Sequence, residues 1–287
     1  MDKSLWGIGV VIVGIASGVL AEELHWQEMG LGDADIRSIT VDSRNGKKFY
    51  AGVKNGVMVS EDAGASWKNI LLSSGIAQEV AFVTVNVRGI FVGTNKGLLF
   101  SADQGVNWNK LFKGKGDFEN ACTALLVLSD KLFLGTKSGL WVSKDNGKTW
   151  ERETGKLAHS HILAIAHTTN HFRSIYVVSV GGVFRSKTGG RSWERSMASH
   201  ALEDIEESSN GGEENADEEI RNTYLRNICI DPKNPKRLLL STRDSIFESK
   251  DQGDNWYAFS TQNLIGEITY LYFTAAAQLF VSTTSGG

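Results

Sequence analysis

A chain of 287 residues that is 41% hydrophobic can bury a real core, which excludes a disordered or fibrous protein. Its 31 glycines stand against two prolines, so the chain needs many tight turns but has no proline-rich linkers, and one continuous turn-rich domain fits best. The formal net charge of −3 is near balance, yet it is unevenly spread along the chain.

The N-terminus sets Lys3 before an apolar run from Leu5 to Leu20, closed by Val19-Leu20-Ala21 and the acidic pair Glu22-Glu23. This is the order of a signal peptide spanning 1–21. The alternative, an uncleaved membrane anchor, meets a run shorter than the roughly 20 residues of a span and interrupted by Gly7, Gly9, Gly14 and Gly18. The expected mature protein is therefore exported, whether periplasmic, lumenal or secreted, and meets a membrane only through an uncleaved N-terminal segment. Next, His25 to Leu31 reads like the last strand of a repeat, with its tryptophan Trp26 but no strand ahead of it.

A search for self-similarity then finds S-x-D-x-G-x-x-W at Ser60-Asp62-Gly64-Trp67, Ser101-Asp103-Gly105-Trp108, Ser143-Asp145-Gly147-Trp150 and Ser249-Asp251-Gly253-Trp256. A fifth copy, Ser186-Thr188-Gly190-Trp193, lacks the aspartate. The first four serines in chain order recur every 41 to 43 residues and the last follows after 63, so the period is near 42 with one insertion. Two short apolar stretches precede each box, as in Phe91-Val92-Gly93-Thr94 and Gly97 to Phe100, or Phe133-Leu134-Gly135-Thr136 and Gly139 to Val142. A third lies ahead of those (Ile36 to Val41, Ala121 to Leu128, Ile162 to Ala166, Tyr224 to Ile230), and the tryptophan opens a fourth. Four strands per period, A to D with A innermost and no helical pattern, describe one propeller blade. In each box the serine and aspartate are read as acceptors for turn amides, the glycine as a residue of positive φ, and the tryptophan as a wedge between blades. One carboxylate per blade cannot converge on a metal, so the boxes are structural.

After the last box, Glu267 to Thr274 and Gln278 to Thr284 supply an A and a B strand, and the N-terminal D strand is expected to close that final blade. Six blades are the minimum and seven possible, with one C strand and one box missing from a C-terminally incomplete chain. Cys122 and Cys229 fall in repeats that are not neighbours, and a bridge needs Cα atoms within about 7 Å; two buried free thiols are expected.

These boxes, the F-V-G-T-x-x-G-L-F phrase and Asp231-Pro232-Lys233-Asn234-Pro235 resemble the Asp-box (bacterial neuraminidase repeat, BNR) β-propeller superfamily. Its members include sortilin-type propellers, photosystem II assembly-factor propellers, xyloglucanase-type glycosidases and sialidases. The resemblance implies an all-β propeller over 22–287 and leaves function open between binders and enzymes. A sialidase would bring an arginine triad with an R-I-P segment, but no proline precedes Pro232. A xyloglucanase would place two aspartates in a cleft between two propellers, and this chain makes one. Off the boxes the candidate carboxylates are Asp117, Glu119, Asp244 and Glu267, without diagnostic pairing.

Function is expected at the end carrying the D-to-A and B-to-C loops. The B-to-C turns present Lys54, Lys96, Lys137 and Arg243, and the insertion 196–222 emerges beside them. Its core from Glu203 to Glu219, which includes Glu206 and Glu207, holds nine acidic residues and no basic one, so the remainder of the chain carries +6 instead of −3. A basic ring with an acidic flap suits an anionic partner. His159, His161, His167 and His171 cluster near one A strand without further ligands at metal-site spacing, so no metal is expected. No phosphate loop or nucleic-acid module is found, and no cofactor is expected. The reading is a non-enzymatic scaffold for a protein or peptide, an assembly or sorting factor; the alternative is a glycoside hydrolase or a glycan-binding module.

Overall fold

The computed structural model describes residues 10–11, 31, 34–72, 79–168, 174–198, 225–259, 266–273 and 277–284. The strand expected around Trp26, the acidic core from Glu203 to Glu219 and His171 lie outside them. The chain's contacts fall into two compact units, 23–162 and 163–287 with 1–22.

Within 23–162 three antiparallel sheets follow in chain order. The first is β2 (Ile36–Val41), β3 (Phe49–Val53), β4 (Gly56–Ser60) and β5 (Lys68–Leu72). The second is β6 (Val80–Asn86), β7 (Gly89–Thr94), β8 (Gly97–Ser101) and β9 (Asn109–Phe112). The third is β10 (Cys122–Val127), β11 (Leu132–Thr136), β12 (Gly139–Ser143) and β13 (Glu151–Arg152). A fourth sheet, β14 (Ile162–His167), β15 (Ile175–Ser179), β16 (Gly182–Ser186) and β17 (Glu194–Ala198), opens the second unit. The fifth is β18 (Asn227–Ile230), β19 (Leu238–Ser241), β20 (Ile246–Ser249) and β21 (Tyr257–Phe259). The sixth has three strands, β22 (Ile268–Phe273), β23 (Leu279–Thr283) and, on the far edge of β23, β1 (Val10–Val11). The N-terminal strand that pairs with the last sheet is thus drawn from the segment read as a signal peptide. Among the described residues helix is confined to one turn, α1 (Asp117–Asn120), and a 3-10 turn at Gly155–Leu157.

The strand order explains the apolar pattern. Second strands such as β11 and β15 are buried throughout, and strands flank them on both sides within their sheets. Fourth strands such as β9 and β21 lie outermost and are largely exposed. The cores form between consecutive sheets: Tyr50 and Val57 pack with Val83 and Val92, Phe112 with Leu132 and Leu134, and Leu239 and Ile246 with Leu271 and Val281.

Each box is a closed hydrogen-bonded turn. Ser60 Oγ accepts from Gly64 N (2.7 Å) and donates to Asp62 Oδ1 (2.7 Å), which accepts from Ser66 N (2.9 Å). The residue before the tryptophan always supplies a second donor, the hydroxyl of Ser66 or Thr149 or the amide of Asn107 or Asn255. In the fifth copy Thr188 Oγ1 replaces the carboxylate and accepts from Ser192 N (2.9 Å). Positive φ extends one residue further than expected, to Ala63, Gln104, Asn146 and Gln252.

Three of the tryptophans dock their box on the sheet before it. In the fourth strands Ile70, Leu111 and Ser196 are bulged out of register, which frees their polar groups from the ladder. Trp108 Nε1 donates to Ile70 O (3.2 Å), Trp150 Nε1 to Leu111 O (2.8 Å) and Trp256 Nε1 to Ser196 Oγ (3.2 Å). The box glycine makes room for this: a Cβ on Gly105, at φ +92, would stand 2.8 Å from Ile70 Cδ1.

Two outcomes follow from the boxes. Trp108→Phe, which keeps a ring but removes the indole donor, should cost about 1 kcal/mol, and Trp108→Ala about 3 to 5 kcal/mol, both read from urea unfolding. The box carboxylates Asp62, Asp103 and Asp145 are held down at about 2, by the hydroxyls of Ser66 and Thr149 foremost in the first and last and by the backbone N–H of Asn107 in Asp103. Because these folded values lie below the ordinary 3.8, the stability they contribute is complete above 3.8 and lost as pH falls towards 2. Carboxyl NMR titration of Thr188→Asp should show one additional acid with the same depressed midpoint.

Candidate functional site

The residues expected to bind a partner sit on two-residue turns with a recurring cause. Val53 pairs with Gly56, Thr94 with Gly97 and Thr136 with Gly139, leaving Lys54-Asn55, Asn95-Lys96 and Lys137-Ser138 at the tips. Thr94 Oγ1 donates to Gly97 O (2.8 Å) and accepts from Lys96 N (3.0 Å), and Thr136 repeats the pattern with Gly139 and Ser138. Gly97 and Gly139 have φ +117 and +147, and a Cβ on either would strike a backbone oxygen at 2.2 Å. The T-x-x-G phrase is therefore a device for holding a hairpin tip.

Main-chain bonds join these tips to the connections that lead into the first strands. Lys54 N donates to Asp35 O (2.9 Å), Asn95 N to Glu79 O (3.0 Å) and Lys137 N to Ala121 O (3.0 Å). The box turns meet the opposite loops instead, as Ala63 N does with Lys47 O (2.8 Å). In each unit, then, the D-to-A and B-to-C loops share one end.

At that end the candidate carboxylates are engaged by cations. In 23–162, Lys96 Nζ lies 3.0 Å from Asp117, and Arg152 pairs with Glu119. Arg152 also lies 2.9 Å from His159 Nδ1, and its guanidinium stacks 4.7 Å from the Trp141 ring. Lys54 and Lys137 are exposed, and among the described residues neither has a carboxylate within ion-pair reach. In the other unit Arg243 pairs with Glu267, which Arg226 also approaches at 3.7 Å, and Asp244 lies 3.8 Å from Arg243. Of the six binding candidates, Lys54, Lys96 and Lys137 share one unit and Arg243 belongs to the other; Glu206 and Glu207 lie outside the described residues.

The other chemical candidates separate. His167 Nδ1 faces Thr168 O (3.1 Å), and among the described residues no three histidine, cysteine or acidic side chains gather as metal ligands. Both cysteines are free: Cys122 is buried, Cys229 only half-buried, and burial pushes both thiols up to about 12. Every carboxylate with a displaced pKa among the described residues is moved down, including Asp42 beside Arg44 and Glu194 beside Arg185. Two features escaped the sequence reading. Arg185 is buried at 4% exposure between Glu194, Asp254 and Gln252 O (2.6 Å), and the β9 to β10 connection folds into α1.

His161 provides a check on the electrostatics of this end. Burial, then the Lys137 charge, lowers its pKa below 6.5. Its neutral form is favoured in the folded state, so stability linked to it is complete above 6.5 and lost as pH falls from there through the lower folded value. NMR titration should find the His161 midpoint below that of a free imidazole, and Lys137→Ala should recover a minor part of the difference.

Comparison with known proteins agrees with this geometry. The family model of the BNR/Asp-box repeat matches residues 141–152. No curated protein matches the chain. An ancestral GH74 enzyme shares 16% identity over 88% of this chain and 35% of its own, with a TM-score of 0.65. YCF48 bound to D1 peptide shares 13% identity over 91% of this chain and 81% of its own, at 0.59. The GH74 xyloglucanase from Xanthomonas campestris shares 16% over 85% of this chain and 41% of its own, at 0.61. The chain thus spans well under half the length of the GH74 proteins. At such identities these likenesses show the fold alone, and with five boxes, serial four-stranded sheets and the repeat match together, the chain is a β-propeller of the BNR/Asp-box type.

Proposed function

We propose that this propeller is a non-enzymatic scaffold that binds a protein or peptide at the end formed by its B-to-C turns, acting outside the cytoplasm. One observation carries the reading: Lys54 and Lys137 stand exposed on tips fixed by main-chain bonds, while the carboxylates Asp117, Glu119 and Glu267 at the same ends of the sheets are each engaged by a cation. Such a surface presents positive charge in fixed places, which suits anionic partner segments. Coverage supports it, since the chain spans 81% of YCF48 in its structure bound to D1 peptide, against 35% and 41% of two GH74 proteins. Arg243, Glu206 and Glu207 stay in the reading from turn position and charge. Export rests on residues 1–21, and N-terminal sequencing of the exported protein should begin at Glu22.

The GH74 likenesses favour glycan hydrolysis as the second reading. Both are tested together, with fluorescent synthetic peptides graded in net charge in one arm and soluble xyloglucan in the other. Acidic peptides should bind, and Lys54→Glu with Lys137→Glu should weaken them several-fold, less so at high salt, because screening acts within about 10 Å at 0.1 M. Xyloglucan turnover abolished by replacing Asp117, Glu119, Asp244 or Glu267 would reverse the assignment.

A further inference from the structure

The connection between β9 and β10 holds one large side chain that the fold leaves in water. Phe118, on α1, is 70% exposed, the one strongly exposed aromatic among the described residues of 23–162. Its neighbours are all engaged. Asp117 pairs with Lys96 (3.0 Å). Glu119 pairs with Arg152, and its Oε2 accepts from Lys115 N (2.6 Å). Asn120 Oδ1 accepts from Gly114 N (2.9 Å), and its Nδ2 donates to Gly116 O (2.9 Å). The turn closes with Ala121 N on Asp117 O (2.9 Å), and Lys137 N ties Ala121 O to the next hairpin tip. Three of the four helix residues are thus braced, and the fourth is presented outward.

Turn positions of a linking loop favour small polar residues, so the exposed phenyl ring of Phe118 stands out on this connection. A ring carried on a braced turn needs no ordering of its backbone on contact, which lowers the cost of binding. The charges beside it give the partner's chemistry. Lys113 and Lys115 share the connection and Lys137 adjoins it, whereas Asp117 and Glu119 are already matched by Lys96 and Arg152.

We infer that Phe118 anchors the binding surface, meeting an apolar side chain of an acidic peptide segment whose carboxylates face Lys113, Lys115 and Lys137. The inference rests on the peptide-binding function proposed above and adds the partner's character to it.

The test selects peptides from a displayed random library on the full chain and measures their Kd for wild type, Phe118→Ala and Lys137→Glu at low and high salt. Selected peptides should carry Asp or Glu next to Leu, Ile, Phe or Trp. Phe118→Ala should weaken them at least about tenfold at both salt levels with an unchanged melting temperature, and Phe118→Leu should restore part of the loss. Lys137→Glu should act mainly at low salt. Acidic peptides that bind Phe118→Ala as tightly as wild type would overturn the anchor and leave the peptide-binding function standing. A library that enriches nothing overturns both.

Discussion

The hydrogen bond from a box tryptophan to the bulged residue of the preceding sheet is the contact on which the architecture of each unit depends. A four-stranded meander has no reason of its own to choose how it faces the next one, since apolar packing alone is non-directional. The bulge at Ile70, Leu111 or Ser196 exposes a polar group at one height on the outer strand, and the indole of the following repeat has one donor with which to meet it. The bond therefore sets register as well as proximity. The box turn exists to aim that indole: its serine is buried, its glycine passes against the bulge side chain, and its aspartate ties down the amide just ahead of the tryptophan. Thr188 shows which part is essential, because a hydroxyl in place of the carboxylate still accepts from Ser192 N and the turn keeps its path.

Much of this was legible in the sequence because repeated residues report repeated constraints. The boxes, the T-x-x-G tips and the apolar second strands recur at the same offsets, so their roles could be inferred from pattern alone, and strand boundaries such as Ile36 to Val41 agree with the structure. One signal was present but unread: Ser66, Asn107, Thr149, Ser192 and Asn255 all stand before the tryptophan, and all are donors. The bulges were not legible. Ile70 and Leu111 look like ordinary strand residues, and a period-two pattern does not reveal a skipped pairing partner.

The candidate site was less legible than the fold, for a physical reason. Turn position shows which residues reach one end of a sheet, and so Lys54, Lys96 and Lys137 could be named. Ion pairing depends on how side chains from different repeats meet, and spacing holds no record of that. Lys96 pairs with Asp117 and Arg243 with Glu267, contacts that turn position does not reveal. Phe118 sits in a connection whose glycines and charges read as a simple loop, and the bonds of Asn120 that turn it into a brace are visible only in three dimensions.

The two ends of the sheets differ in what their side chains are occupied with, and the proposed binding surface lies at the end that carries no indole docking. At the box end, cations reach across to the next repeat: Lys48 Nζ meets Gln104 Oε1 at 2.7 Å, Arg88 pairs with Asn146, and Arg185 bonds Gln252 O in the other unit. Replacing any of these residues to suit a ligand would loosen the contact between sheets. At the opposite end the tips are secured by main-chain bonds and a threonine hydroxyl, so the side chains of Lys54 and Lys137 are left out of the scaffold. Residues there can change without disturbing sheet packing, which is the condition under which one propeller frame serves many ligands. A binding surface built at the box end would have to compete with the indole docking that sets the register of the sheets; at the tip end the side chains of Lys54 and Lys137 hold no such contact, and the ion pairs beside them involve Lys96, Arg152 and Arg243.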